Sequence, residues 1–245
     1  MIMETKIISE TKTSKQKINE FKSIMHQGCF DMNLSYTMPF EHMGKTDITY
    51  VEEYSFDIYF DHYEDDNKIK IATGDFRIFN TARVLNDYVH PSVIFDSSYE
   101  NCKVYTTFYE YDTCEIDQQL IKLNNWDDCF GSNIAFIDRM EIIPEFRGKL
   151  LGYFFLTNIC NWLSTKVDLF LFKSFPLQFE GDVKDTNRNK IELRKAQRKL
   201  NDYYTSMGFK KVKLPEKEKG EEFLFSEESY FCHQMAKVLK GKYKL

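Results

Sequence analysis

Ile18, Phe21, Ile24 and Met25 recur at helical spacing and Gly28 follows as a stop, so an amphipathic helix is predicted near the start of the chain. From Ile48 to Phe60 the period changes to two. Ile48, Tyr50, Tyr54, Phe56, Ile58 and Phe60 fall on one face, with Thr49, Glu53, Ser55 and Asp57 on the other, which predicts a strand. The polar run Asp61 to Asn67 reads as a turn, and Lys68 to Phe79 as the antiparallel partner. Its alternation shifts phase around Gly74, as a bulge would require.

Between Asn80 and Asn133 the pattern is mixed, with Pro91 placed to open a helix carrying Ile94, Cys102, Tyr105 and Phe108. An insertion beside the sheet, over about 81–133, is the reading this pattern supports. Ile134 to Ile143 is a second strand, ended by Pro144. A short polar loop leads into an apolar helix from about Leu151 to Lys166, and Val167 to Lys173 reads as a buried strand. Asn187 to Met207 is a helix with a basic outer face, and Gly208 ends it. Short strands follow near Phe209 to Leu214 and Glu222 to Phe225, with Pro215 to Gly220 as a charged turn. There is no internal repeat. The sum is an α/β or α+β fold, a sheet with helices on both faces, in one domain spanning 1–245.

Composition narrows the function. At 245 residues with 42% hydrophobic and 29% charged, the chain suits one sizeable globular core, and 22 Phe with 15 Tyr make that core aromatic. A net charge of -5 gives no overall reason to expect nucleic acid as the main partner. The cysteines Cys29, Cys102, Cys114, Cys129, Cys160 and Cys232 lack paired spacing, which argues for reduced thiols over a disulfide scaffold or zinc ribbon. Charged Glu4 and Lys6 stand where an export signal needs an apolar run, and Leu150 to Thr165 is too short to span a membrane, so a soluble cytoplasmic protein is expected. His26 with Cys29, and Cys232 with His233, have no second pair to complete a tetrahedral site, and no metal is expected.

The stretch Ile142-Ile143-Pro144-Glu145-Phe146-Arg147-Gly148-Lys149-Leu150-Leu151-Gly152 runs from a strand through a basic, glycine-containing loop into a helix. Backbone N–H groups of such a loop and first helical turn converge on one point, where the helix dipole favours negative charge, so a diphosphate is a natural occupant. The alternative is an ordinary connection whose glycines only make a tight turn. No G-K-[ST] follows and no G-x-G-x-x-G is present, which excludes a P-loop and a dinucleotide fingerprint.

Extended back to Ile137, this string resembles the acyl-CoA-binding motif of the GNAT N-acetyltransferase superfamily, whose loop reads Arg or Gln, any, any, Gly, any, Gly or Ala. Tyr203-Tyr204-Thr205-Ser206-Met207-Gly208-Phe209 is similar to that superfamily's later signature, an aromatic pair followed by a hydrophobic residue, Gly and Phe. The resemblance covers about 134–212, with the acyl-CoA motif in 134–166 and the C-terminal motif in 187–214. It departs at Leu150, where the family has glycine, so a side chain is expected where backbone and pyrophosphate approach closely and where φ > 0 is unfavourable. Gln197 stands near the place of a family asparagine.

The resemblance implies a mostly antiparallel twisted sheet with an insertion before the donor strand, and an N-acyltransferase that moves an acetyl or other acyl group from acyl-CoA directly to an amine. Acetyl-CoA is then the co-substrate, with Met140, Ile142, Ile143, Arg147, Gly148, Lys149, Leu150, Leu151 and Gly152 around it. Backbone N–H groups near Met140 to Ile142 would polarise the thioester carbonyl. Tyr204 would be the general acid, its alternative a core aromatic packed on Phe209. For the base, Glu141, Asp138 and a water chain all stand open, since either carboxylate could instead pair with Arg139 or another cation. The acceptor, a small amine or an amine on a protein, is not written in the sequence, and neither is the oligomeric state, a homodimer included. Two rivals remain: a catalytically silent acyl-CoA-binding module, and a toxin-like acetyltransferase acting on aminoacyl-tRNA. The cluster Arg188, Lys190, Arg194, Lys195, Arg198 and Lys199 could meet the CoA ribose phosphate or nucleic acid, but a solvated helix face is the plainer reading.

Overall fold

The computed structural model describes residues 13–37, 50–64, 68–90, 95, 98–110, 115–124, 133–173, 187–206, 209–214 and 223–227. Helix α1, Ser14–Gln27, starts at a capping box. Thr13 accepts from the Gln16 backbone N–H, and the Gln16 side chain accepts from that of Thr13. Its apolar stripe is the predicted one, with Phe21 and Ile24 buried and Ile18 packed against the same core. Gly28 ends the helix and at once begins β1, Gly28–Thr37, an edge strand that the spacing of its side chains had not announced.

Strand β1 pairs antiparallel with β2, Val51–His62, and β2 with β3, Lys68–Phe79. Ile48 and Thr49 of the predicted strand lie outside the described residues. Phe56, Ile58 and Phe60 are buried on one face as their alternation requires, whereas Tyr50 is buried in a different cluster. The bulge expected near Gly74 lies at Ile71: Ile58 pairs with Ala72 and Tyr59 with Lys70, which leaves Ile71 between them and buries both Ile71 and Ala72.

Strand β4, Ile134–Ile142, runs antiparallel to β3 and carries a second irregularity. Asp75 pairs with Arg139 and Phe76 with Ile137, so Asp138 is left out of the ladder. This extra residue changes the phase of the strand. Ala135 and Ile137 face one core cluster, and Met140 and Ile142 face the same cluster three and five positions after Ile137.

Helix α5 and strand β5 complete the crossover. To keep chain order, the helices of the inserted region are α2, Thr81–Asn86, α3, Tyr99–Phe108, and α4, Gln118–Asn124; α5 is Leu151–Leu163 and β5 is Leu169–Lys173. The helix stops three residues before Lys166, and the strand starts two after Val167. Helix α6, Asn187–Ser206, is followed by β6, Lys210–Lys211, and β7, Phe223–Glu227; Met207, Gly208 and the turn at 215–220 lie outside the described residues.

The described strands form one sheet in the order β1-β2-β3-β4-β5-β7-β6, antiparallel at every pairing except β4 with β5. One face is covered by α1 and α5 through Phe21, Ile24, Leu151, Tyr153, Phe155 and Leu156. The other is covered by the inserted region, where Val84, Phe95, Val104, Tyr105, Phe108 and Leu120 pack on Phe79, Phe136, Leu169 and Leu171. This mixed, mostly antiparallel sheet with helices on both faces is the architecture expected from the sequence. Pro91 and Ile94 lie outside the described residues; α3 begins at Tyr99, capped by Ser98, and of the residues assigned to it Cys102 is exposed while Tyr105 and Phe108 are buried. No helix among the described residues is long and apolar enough to cross a membrane.

Candidate functional site

The β4–β5 ladder is short. It joins Ile134 through Ile137 to Leu169 through Phe172 and goes no further, so the β4 edge from Asp138 to Ile142 has no strand beside it on that side among the described residues. A cavity of about 220 Å³ opens at this fork. Met140 and Ile142 line it from β4, Phe146, Arg147, Gly148 and Leu150 from the loop, and Leu151 and Gly152 from the first turn of α5. Leu200, Tyr203 and Tyr204 of α6 and Lys17 of α1 close it. The two stretches that resemble family motifs therefore meet in one cavity, more than fifty positions apart in sequence.

Pro144 sets the loop. It opens a single tight turn, Pro144–Phe146, whose carbonyl accepts from the Arg147 backbone N–H at 3.2 Å. Gly148 then takes φ +72°, with open space where a Cβ would be. Leu150, the N-cap of α5, has φ 62° and ψ 5°. The left-handed conformation that favours glycine is thus adopted at the position where the family has glycine, at a cost of about 1–2 kcal/mol for a branched side chain. That side chain is 7% exposed and belongs to the core beneath the loop. Its burial offsets the strain, and Leu150 lines the cavity as well.

Gly152 makes room for α6. A Cβ there would lie 2.4 Å from the Tyr203 hydroxyl, 3.3 Å from Ile142 Cδ1 and 3.5 Å from Met140 Cε, so strand, helix and tyrosine converge on one glycine. Tyr203 is 39% exposed as a residue, yet its phenol is held well above the ordinary value, mainly by burial and further by Tyr204 and Tyr153. The Tyr204 ring lies 5.4 Å from that of Phe172 and 5.9 Å from that of Phe209, and burial pushes its phenol up to about 12. Tyr204 packs on Phe209, as the core-aromatic reading has it, and also lines the cavity.

The carboxylates go elsewhere. Glu141 accepts from Arg147 Nη2 at 3.1 Å while Arg147 Nε donates to the Ile142 carbonyl at 2.6 Å, and Glu141 is absent from the cavity wall. Its partner Arg147 is a cation of the kind expected for a paired carboxylate. Asp138 pairs with Arg77 at 3.3 Å, and Arg77 also meets Glu53 at 3.3 Å and Asn101 at 3.2 Å. Two of the predicted donor residues also miss the wall. Ile143 bonds back to Ile71, and Lys149 lies with its ammonium 5.1 Å from the Phe146 ring centroid. On α6, Arg194, Lys195, Arg198 and Lys199 are exposed, as a solvated face requires. No group of His, Cys, Asp and Glu able to hold a metal occurs among the described residues.

Sequence reasoning missed Lys17, Phe146, Leu200 and Tyr203 as wall residues. Phe146 and Tyr203 lie inside the two recognised stretches and were open to discovery. Lys17 and Leu200 were not, because only the docking of α1 and α6 brings them to the fork.

No family model matches the sequence, and no curated protein matches it. Solved structures do match, among them a mutant of KacT, 9% identical, over 87% of this chain and 99% of that one, with a TM-score of 0.34. At that score the likeness carries no weight beside the geometry of the fork.

Proposed function

We propose that the protein is an acyltransferase that moves an acyl group from acyl-CoA to an amine by direct transfer. The observation that carries this reading is the convergence of the Arg147–Gly152 loop and the Tyr203–Tyr204 pair on one cavity where the β4–β5 ladder ends. The loop and first turn of α5 supply backbone donors for a diphosphate. The β4 edge beyond the end of the β4–β5 ladder supplies donors for the thioester carbonyl and for the oxyanion that forms when a neutral amine attacks it. As the tetrahedral intermediate collapses, the C–S bond breaks and the leaving sulfur takes a proton from Tyr204, whose phenol at about 12 remains protonated at neutral pH. The attacking nitrogen loses its proton to water, since Glu141 is tied to Arg147 and no carboxylate lines the cavity among the described residues, and water returns a proton to the Tyr204 phenolate.

The test is a thermal scan with and without millimolar acetyl-CoA, followed by thiol release over a panel of amines. A ligand at a hundredfold excess over Kd stabilises by about 2.7 kcal/mol. An unchanged melting temperature would overturn the reading. The lack of a carboxylate among the described wall residues favours a second reading, a binding module without turnover. Stabilisation by acetyl-CoA with no thiol released across the panel would establish it.

A further inference from the structure

The cavity is short of positive charge at the place where the loop motif should provide it. Arg147 spends its guanidinium on the Ile142 carbonyl and on Glu141, so that arginine and carboxylate cancel, and Lys149 is drawn over the Phe146 ring. One cation in the wall is left without an ion pair among the described residues: Lys17. It comes from α1, far from both motifs in sequence. Its position is fixed by two features of that helix. The Thr13 cap sets where α1 begins, with the Lys17 backbone N–H donating to the Thr13 carbonyl at 3.1 Å. One helical turn later Phe21 packs its ring 5.5 Å from that of Phe154 in α5, two residues beyond Gly152. The contact ties α1 to the start of α5 and brings Lys17, on the same side of the helix as Phe21, to the cavity.

We propose that Lys17 is a donor-binding residue that holds a phosphate oxygen of the pyrophosphate of acyl-CoA, in place of the charge that Arg147 gives to Glu141. The proposal rests on the acyl-CoA reading. Among the described wall residues there is no carboxylate, and Lys17 is the cation not held in an ion pair; the left-handed turn at Gly148, in the same wall, has open space where a Cβ would be. A lysine suits this role as a compact charge on a flexible stem, reaching a phosphate without fixed bidentate geometry.

The test measures the affinities of wild type, Lys17→Met and Lys17→Arg for CoA, dephospho-CoA and pantetheine by calorimetric titration, with melting temperatures taken without ligand. Methionine keeps the length and helix propensity of lysine, so the unliganded fold should hold. Losing one exposed ion pair of about 1 kcal/mol corresponds to about fivefold. Lys17→Met is expected to weaken CoA and dephospho-CoA about fivefold and leave pantetheine unchanged, with Lys17→Arg close to wild type. Equal CoA affinity in wild type and Lys17→Met overturns the proposal, as does equal weakening of pantetheine, which marks a structural role. Weakening of CoA alone moves Lys17 to the ribose phosphate and overturns the pyrophosphate assignment. If wild type itself fails to bind CoA, the acyl-CoA reading falls, and this proposal with it.

Discussion

In Tyr204 the proposed chemistry and the packing of the core meet in one side chain. Its ring joins Phe172 and Phe209 in the core, and the same burial that holds the ring raises the phenol to about 12. A phenol so protonated can donate to a departing thiolate but cannot act as a base at neutral pH. Tyr204→Phe is therefore expected to lower kcat about a hundredfold, the low end for general acids because a thiolate is already a tolerable leaving group. CoA affinity and melting temperature should hold, since the ring and its contacts remain. Steady-state kinetics beside a thermal scan check this, and unchanged kcat would remove Tyr204 from the mechanism. Activity lost at about pH 9 would belong to another group, because this phenol keeps its proton well above that.

At the scale of elements, the β4 bulge decides which side chains reach the cavity. With Asp138 outside the ladder, Met140 and Ile142 turn to the same side as Ile137, and Glu141 turns away to Arg147. Strict alternation would turn Met140 and Ile142 to the opposite face. Deleting Asp138 removes the extra residue and leaves Met140 and Ile142 on the side of Ile137, so it is expected to keep stabilisation by acetyl-CoA, read as a ligand-dependent rise in melting temperature. Deleting Asp138 together with Arg139 puts Met140 directly after Ile137 and on the opposite face, and is expected to abolish that rise. Equal behaviour of the two variants would show that the facing of Met140 and Ile142 does not position the site.

The inserted region belongs to the whole molecule's stability. It was read from the sequence as a segment beside the sheet, and Val84, Phe95, Val104, Tyr105, Phe108, Tyr109, Ile116, Leu120 and Ile121 form most of a second core cluster. Their removal would expose Phe79, Phe136, Leu169 and Leu171, which are buried on the sheet. Truncating one buried Phe costs about 3–5 kcal/mol, against a typical total stability of about 5–15 kcal/mol. Replacing 81–133 with a short linker is thus expected to leave the chain unfolded, seen as the loss of a cooperative thermal transition. A cooperative transition in the shortened chain would show the inserted region to be an addition to a self-sufficient core.

What the sequence determined by itself was local. The hydrophobic period placed α1, β2, β3, β4 and α5, because amphipathic periodicity is a property of neighbouring residues. Met140, Ile142, Arg147, Gly148, Leu150, Leu151, Gly152 and Tyr204 were named in advance and line the cavity, since the loop and aromatic stretches are contiguous strings. Strand β1 escaped notice because it starts at the glycine that stops α1, and its partly exposed edge position weakens its alternation. Tertiary structure decided the rest. Which side chains of β4 face the cavity depends on a bulge visible only in the register of β3 with β4, and Glu141's partner depends on where the loop carries Arg147. Lys17 reaches the fork only because Phe21 docks α1 against α5, a contact between residues more than a hundred positions apart that no local pattern encodes.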